Sequence, residues 1–191
     1  MATNVDDPTI PVACAAPKAP DLNADSCDPQ LNYGPISNIY VGTDDPTAAF
    51  AAAPTKAEID TRLALPLTDV KALRLLIGTM TFGTANTATE QFNGIDYPKP
   101  TLRKFPVETK DTSDKNYEFA RQTQKGGYKC RAYGVSQDSQ FWYGGQNGIQ
   151  GVLTLNNELN TDFTGVNSIK GELSVKGFFD PKRIPSPVVA V

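Results

Sequence analysis

Residues 149–155 read IQGVLTL, and residues 169–176 read IKGELSVK. In both stretches apolar or small residues alternate with polar ones, which is typical of a half-buried antiparallel strand. Residues 128–135 alternate in the same way. The connecting segments contain Gly126-Gly127 and the run at residues 144–148, GGQNG, whose glycines permit the positive φ angles of tight turns. The sequence therefore predicts a β-meander with one solvated face, in a mainly β fold that is an antiparallel β-sandwich or barrel.

Further strands are predicted before the meander. Residues 36–41, ISNIYV, predict the first strand, and Leu73–Phe82 predicts the next, with a helix across Thr68–Leu76 as the competing interpretation. Thr101–Thr109 predicts a basic strand, in which Pro106 argues for a sheet edge or a bulge. Residues 116–124 fit a strand or a short helix, and the pattern leaves both open.

One short flanking helix is predicted over residues 56–65. Thr55 and Glu58 have the S/T-x-x-E spacing of a capping box, and Pro66 ends the segment. The predicted buried face carries Ile59 and Leu63, and Asp60 and Arg62 lie off that face.

The sequence divides into three parts: an extended N-terminal arm at 1–34, a β-sandwich domain at 35–182 and an extended C-terminal tail at 183–191. The arm is rich in Pro, Ala and Asp and has too few large apolar residues for a core of its own. A disordered tail and an arm that orders on a neighbouring subunit both remain open. Residues 83–99 predict a long polar loop, for which a surface hairpin that folds onto a neighbour is one interpretation.

Charge is unevenly distributed along this chain of net charge −3. Residues 1–34 contain five Asp and one Lys, whereas residues 99–131 contain nine Lys or Arg against four Asp or Glu. The basic stretch is compatible with a nucleic-acid contact. A pI of about 5.0 instead favours a solvated face or a surface that forms salt bridges between subunits.

The composition argues against catalysis. The chain has no His, which excludes Ser-His-Asp, Cys-His and His-metal chemistry. Its three cysteines follow no zinc-binding spacing, and Cys130 is predicted to be a small core residue. A bridge between Cys14 and Cys27 remains open, with a reduced cytosolic state favoured. We therefore predict no enzyme, no cofactor and no metal site. No run reaches the roughly 18 apolar residues of a membrane span, and no secretory signal is recognised.

Five residues are predicted to lie at a subunit interface. Phe141, Trp142 and Tyr143 are three adjacent aromatic residues, which suit a core or interface anchor better than a stacking platform because neighbours on a strand face opposite ways. Arg103 and Lys104 are the first charges of the basic strand.

The order of these features resembles small structural proteins of tailed bacteriophages. The resemblance depends on residues 36–41, on Tyr143–Ile149 entering a strand, and on Ile169–Val175 running into Ile184–Pro187. The resemblance covers about the last two thirds of the chain. Over this part the sequence is similar to virion proteins of phages and prophages of Bacteroidetes-type hosts. It implies a tail tube protein that self-assembles into stacked rings forming a DNA channel. The basic middle departs from this family, since a DNA-conducting lumen is expected to be acidic.

The resemblance implies a localisation in the virion after assembly in the host cytoplasm. The implied partners are copies of the same chain in a ring, a hexamer in tail tubes, other virion proteins and, transiently, genomic DNA, with no membrane. A head decoration or minor capsid protein is the alternative within this class. A secreted carbohydrate-binding β-sandwich using Trp142 and Tyr143 is the alternative from another class.

Overall fold

A computed structural model of the chain describes residues 35–82, 88–93, 95–99, 101–158, 167–177 and 181–188. The strands within these ranges are β1 (Ile36–Thr43), β2 (Arg74–Met80), β3 (Ala88–Phe92), β4 (Ile95–Lys99), β5 (Thr101–Thr109), β6 (Tyr128–Ser136), β7 (Phe141–Tyr143), β8 (Ile149–Glu158), β9 (Ser168–Gly177) and β10 (Arg183–Pro185). The helices are α1 (Lys56–Ala64) and α2 (Asp114–Thr123). The predicted N-terminal arm lies outside the described residues.

Six strands close into an antiparallel barrel, which confirms the predicted fold class. The order is β1-β2-β5-β9-β8-β6, and β6 returns to β1. Closure removes the free edges that an open sheet would present. On the far side of β6, β7 pairs with its last residues and β10 pairs with β7. The first residues of the predicted C-terminal tail therefore form a strand that pairs within the same chain.

Strands β8 and β9 confirm the meander that was predicted from alternating apolar and polar residues. Strands β8 and β9 pair from Val152↔Ser174 to Glu158↔Ser168. Their inward residues, such as Leu153 and Leu173, are buried, whereas the outward face carries ion pairs, including Lys170–Glu158 at 2.8 Å. Gly171 permits the close approach of the two strands, because a Cβ there would lie 1.9 Å from the carbonyl oxygen of Thr154.

The prediction of one solvated face is wrong for β6. Cys130 and Ala132 point into the barrel, whereas Tyr133 and Val135 belong to a second apolar cluster outside it. That cluster is covered by α1, by the segment around Phe50 and by the start of the C-terminal segment. Strand β6 is thus buried on both faces, and two cores share it.

Helix α1 confirms the predicted helix and ends one residue earlier. Thr55 Oγ1 accepts a hydrogen bond from the Glu58 amide at 3.3 Å, as the capping box requires. The carboxylate of Glu58 instead contacts Arg62 at 3.1 Å. Arg62 was predicted to lie off the buried face, but it is buried because its guanidinium stacks 3.9 Å above the Phe50 ring and donates to the carbonyls of Ala48 and Ala49.

Residues 114–123 form α2, so the helix alternative for residues 116–124 is correct and the prediction of one flanking helix is wrong. The buried positions of α2 follow a helical period, but two of the four, Asn116 and Thr123, are polar. The Asn116 amide donates to Asp111, and Thr123 Oγ1 bonds the backbone of Leu155 in β8. These bonds satisfy the polar groups that α2 buries against the barrel.

Candidate functional site

The three aromatic residues of β7 lie in the two cores. Trp142 has no exposed surface, stacks on Tyr133 with ring centroids 5.3 Å apart, and donates from Nε1 to the carbonyl of Gly145 at 3.0 Å. Phe141 and Tyr143 face the barrel interior and are buried there. The alternation that the sequence predicted is present, but none of the three rings presents a face to solvent.

The two predicted basic residues point in opposite directions from β5. Arg103 is buried, with its guanidinium 5.4 Å from the ring of Phe105. Lys104 is exposed on the outer face and pairs with Glu172 of β9 at 2.8 Å. The structure therefore brings Lys104, and not Arg103, to the surface.

A separate β-hairpin lies within the predicted loop at residues 83–99. Strands β3 and β4 pair from Ala88↔Lys99 to Phe92↔Ile95 and, among the described residues, pair with no other strand. Asn93, at the turn, has a φ of 53°. The hairpin interpretation of this segment is thus correct, and whether it contacts a neighbour stays a prediction.

The hairpin is inserted at the end of the barrel where β2 and β5 separate. Their pairing stops at Met80↔Val107, after which the Thr81 amide donates to the Pro106 carbonyl at 3.1 Å. Proline has no amide hydrogen to return a bond, so the ladder ends there. Residues 101–105 continue to pair with β9 alone among the described strands. This is the sheet edge that Pro106 predicted.

Three of the six exposed large apolar side chains among the described residues lie on these strands. Ile77 of β2, Ile95 of β4 and Leu102 of β5 are 60%, 57% and 59% exposed. Scattered exposed apolar residues are ordinary, so these three are candidates for contact with another chain and not a patch by themselves. We call β2, the β3–β4 hairpin and β5 the hairpin unit.

A cleft of about 720 Å³ opens beside the glycine-rich turn at residues 144–148. Its described lining residues include three cations, Arg131, Lys176 and Lys182, and no carboxylate. The glycines of this turn have the predicted positive φ angles, from 55° to 103°. The volume lies in the range of ligand-binding clefts, roughly 300–1,000 Å³.

Arg131 lines this cleft and is 5% exposed. Its Nε donates to the Asp45 carbonyl at 3.2 Å, and one terminal nitrogen donates to the Asn147 carbonyl at 2.7 Å. With its amide oxygen turned towards the guanidinium, Gln150 accepts from both terminal nitrogens at 2.7 and 2.9 Å. All these acceptors are neutral, and the Asp45 carboxylate is an anion that interacts electrostatically with the guanidinium.

Cys130 is the one cysteine among the described residues, and it lies inside the barrel. Burial raises the pKa of the Cys130 thiol to about 12, so the thiol stays protonated and unreactive near neutral pH. No cluster of three metal-binding side chains occurs in the described ranges, and neither helix there is long and apolar enough to cross a membrane. The chain matches no protein-family model and no curated protein.

Sequence reasoning missed two features of these surfaces. The pair Asn93-Gly94 is a strong signal for a two-residue hairpin turn and could have located β3 and β4. The burial of Arg131 had no such signal, because its acceptors come from turns that are distant in sequence.

Proposed function

We propose that this protein is a structural subunit of a tailed-bacteriophage particle, the tail tube subunit, and that it acts by assembling with copies of itself. The geometry of the hairpin unit is the observation that carries the proposal. The order of elements in the sequence supports the specific identity, since a β-barrel, flanking helices, an inserted hairpin and terminal segments resemble the plan of tail tube proteins.

The hairpin supports self-assembly because, among the described strands, β3 and β4 pair only with each other. A two-stranded hairpin is marginally stable in water unless further strands or a packed face support it. The outer edges of β3 and β4 bond no described strand, and free edges of this kind are templates for pairing with another chain. A neighbouring subunit would supply the missing contact.

The apolar surface supports the same assignment. Ile77 and Leu102 lie on the barrel strands from which the hairpin extends, and Ile95 lies on the hairpin itself. Contacts between subunits would remove all three side chains from water. Identical surfaces on identical chains repeat around a closed ring, so one contact generates the whole assembly.

The carbohydrate-binding alternative has less support. Glycan recognition by stacking needs an accessible aromatic face, whereas Trp142 is fully buried and Tyr143 is buried in the barrel. A ligand could reach neither ring without opening one of the two cores.

Replacing residues 84–99 by a Gly–Ser linker that spans residues 83 to 100 tests the proposal. We expect the variant to remain a monomer at concentrations where the full chain forms rings or tubes, as seen by sedimentation velocity and negative-stain microscopy. Its thermal unfolding midpoint should stay close to that of the full chain, since the barrel strands are intact. Rings formed by the variant would contradict the proposal.

A further inference from the structure

The basic cleft beside the glycine-rich turn has a surplus of positive charge. Arg131 is bonded only to neutral oxygens, and Lys176 and Lys182 are exposed at the cleft without a described ion pair. The carboxylate of Asp45 accepts hydrogen bonds from the amide and hydroxyl of Thr47, at 2.8 and 2.6 Å, and it also interacts electrostatically with Arg131. The surplus at the cleft is therefore the charge of Lys176 and Lys182. An anionic partner would neutralise this surplus.

The chain itself contains a segment of matching charge. Residues 1–34 carry five Asp and one Lys. Four of the five Asp, at positions 6, 7, 21 and 25, precede Cys27. Six acidic residues of the described ranges form ion pairs with Lys or Arg, among them Lys104–Glu172 and Lys170–Glu158. The arm thus carries a net negative charge, opposite in sign to that of the cleft.

We propose that the basic cleft binds the acidic N-terminal arm, residues 1–34, of a second copy of the chain. This inference rests on the proposed self-assembly and adds a second contact to that of the hairpin unit. Aspartate carboxylates of the arm would pair with Lys176 and Lys182 above the buried guanidinium of Arg131. The cleft would thereby select an extended acidic segment and tie one subunit to the next.

Zero-length carbodiimide crosslinking tests the contact, because it joins only carboxylates and amines that already touch. The full chain would be prepared in natural and in ¹⁵N-labelled form, mixed in equal amounts under assembling conditions, crosslinked and analysed by mass spectrometry. We expect crosslinks from Asp residues of the arm to Lys176 or Lys182, with mixed isotope composition. The pairs Lys104–Glu172 and Lys170–Glu158 serve as positive controls within each chain.

Charge reversal provides an independent readout. The double variant K176E/K182E should weaken assembly on the order of tenfold, since attraction is replaced by repulsion at two positions. A variant with D6K and D7K added to it should recover assembly. The matched control K115E/K125E changes the same net charge on exposed residues of α2 and the turn after it, and should assemble normally.

The outcomes separate this inference from the proposed function. If the unmodified chain stays a monomer, the proposed function fails. If the chain assembles and the control pairs crosslink, but Lys176 and Lys182 form no crosslink to the arm, only the cleft inference fails. Crosslinks of uniform isotope composition would mean that the arm binds its own chain, which also overturns the proposal of a second copy.

Discussion

Replacing the exposed apolar residues of the hairpin unit by threonine should weaken assembly without weakening the fold. The double variant I77T/L102T removes apolar surface from β2 and β5 and places at both positions a β-branched residue, which strands favour. Both side chains are about three-fifths exposed in the subunit, so little packing within it is lost. We expect the free energy of unfolding to change by no more than roughly 0.5 kcal/mol per site.

The expected effect on assembly follows from the exposed fractions. Complete burial of an Ile or Leu side chain stabilises by about 1.5–3 kcal/mol, and burial of the fraction still exposed here by about 1–2 kcal/mol. Two such side chains lost at each contact amount to about 2–4 kcal/mol, which raises the dissociation constant roughly 30- to 1,000-fold.

Sedimentation velocity over a range of concentrations would measure this dissociation constant, and urea unfolding would measure stability. The variant L67T is the matched control, since Leu67 is 63% exposed in the turn after α1, outside the hairpin unit. Assembly of I77T/L102T at the concentration of the unmodified chain would refute the reasoning. An equal loss in L67T would show that the effect is general hydrophobicity and not this surface.

Three further predictions concern the fold. R62M should lower the free energy of unfolding by about 2–4 kcal/mol, because buried carbonyls lose their donor, whereas D60N, at an exposed ion pair, should change it by less than about 1 kcal/mol in urea titrations. In a C14S/C27S chain the remaining thiol, that of Cys130, should react with a thiol reagent only on unfolding, and fast labelling of the native chain would contradict this. The free energy of unfolding should fall as pH rises from 9.0 towards about 12, because over this range the thiol ionises in the unfolded state alone. G171A should cost about 1–3 kcal/mol in the same titrations, since its Cβ would overlap the Thr154 oxygen, and an unchanged midpoint would argue against the close strand approach.

The strands could be predicted wherever one face meets a core and the other meets water. That condition holds for β8 and β9, whose outward residues are polar and whose inward residues are apolar. It fails for β6, where α1 and the segment around Phe50 cover the outer face. In the sequence, only the apolar character of Tyr133 and Val135 indicates that this face is covered.

The sequence left a strand and a helix open for residues 116–124 because polar residues occupy half of the buried face of α2. A reading based on hydrophobic period counts Asn116 and Thr123 as solvent-facing, and their hydrogen bonds to Asp111 and Leu155 appear only in the fold. Arg62 is a similar case, since its burial depends on a turn that folds back over α1. Side chains whose partners are remote in sequence leave no local pattern to read.

The basic cleft illustrates the same limit for a functional surface. The sequence indicated that residues 99–131 are basic and that residues 1–34 are acidic. It did not indicate that a buried Arg131 would line the same cleft as Lys176 and Lys182, which come from other parts of the chain. Charge balance could be read from the sequence, whereas the cleft depends on how the barrel closes.

Negative-stain microscopy combined with sedimentation velocity of the purified full chain tests the central claim most directly. We predict rings or tubes of regular diameter, with a sedimentation coefficient that rises with concentration and falls when the hairpin is removed. A single species with the mass of one 20.6 kDa chain at every concentration would contradict the claim that this protein works by assembling with itself.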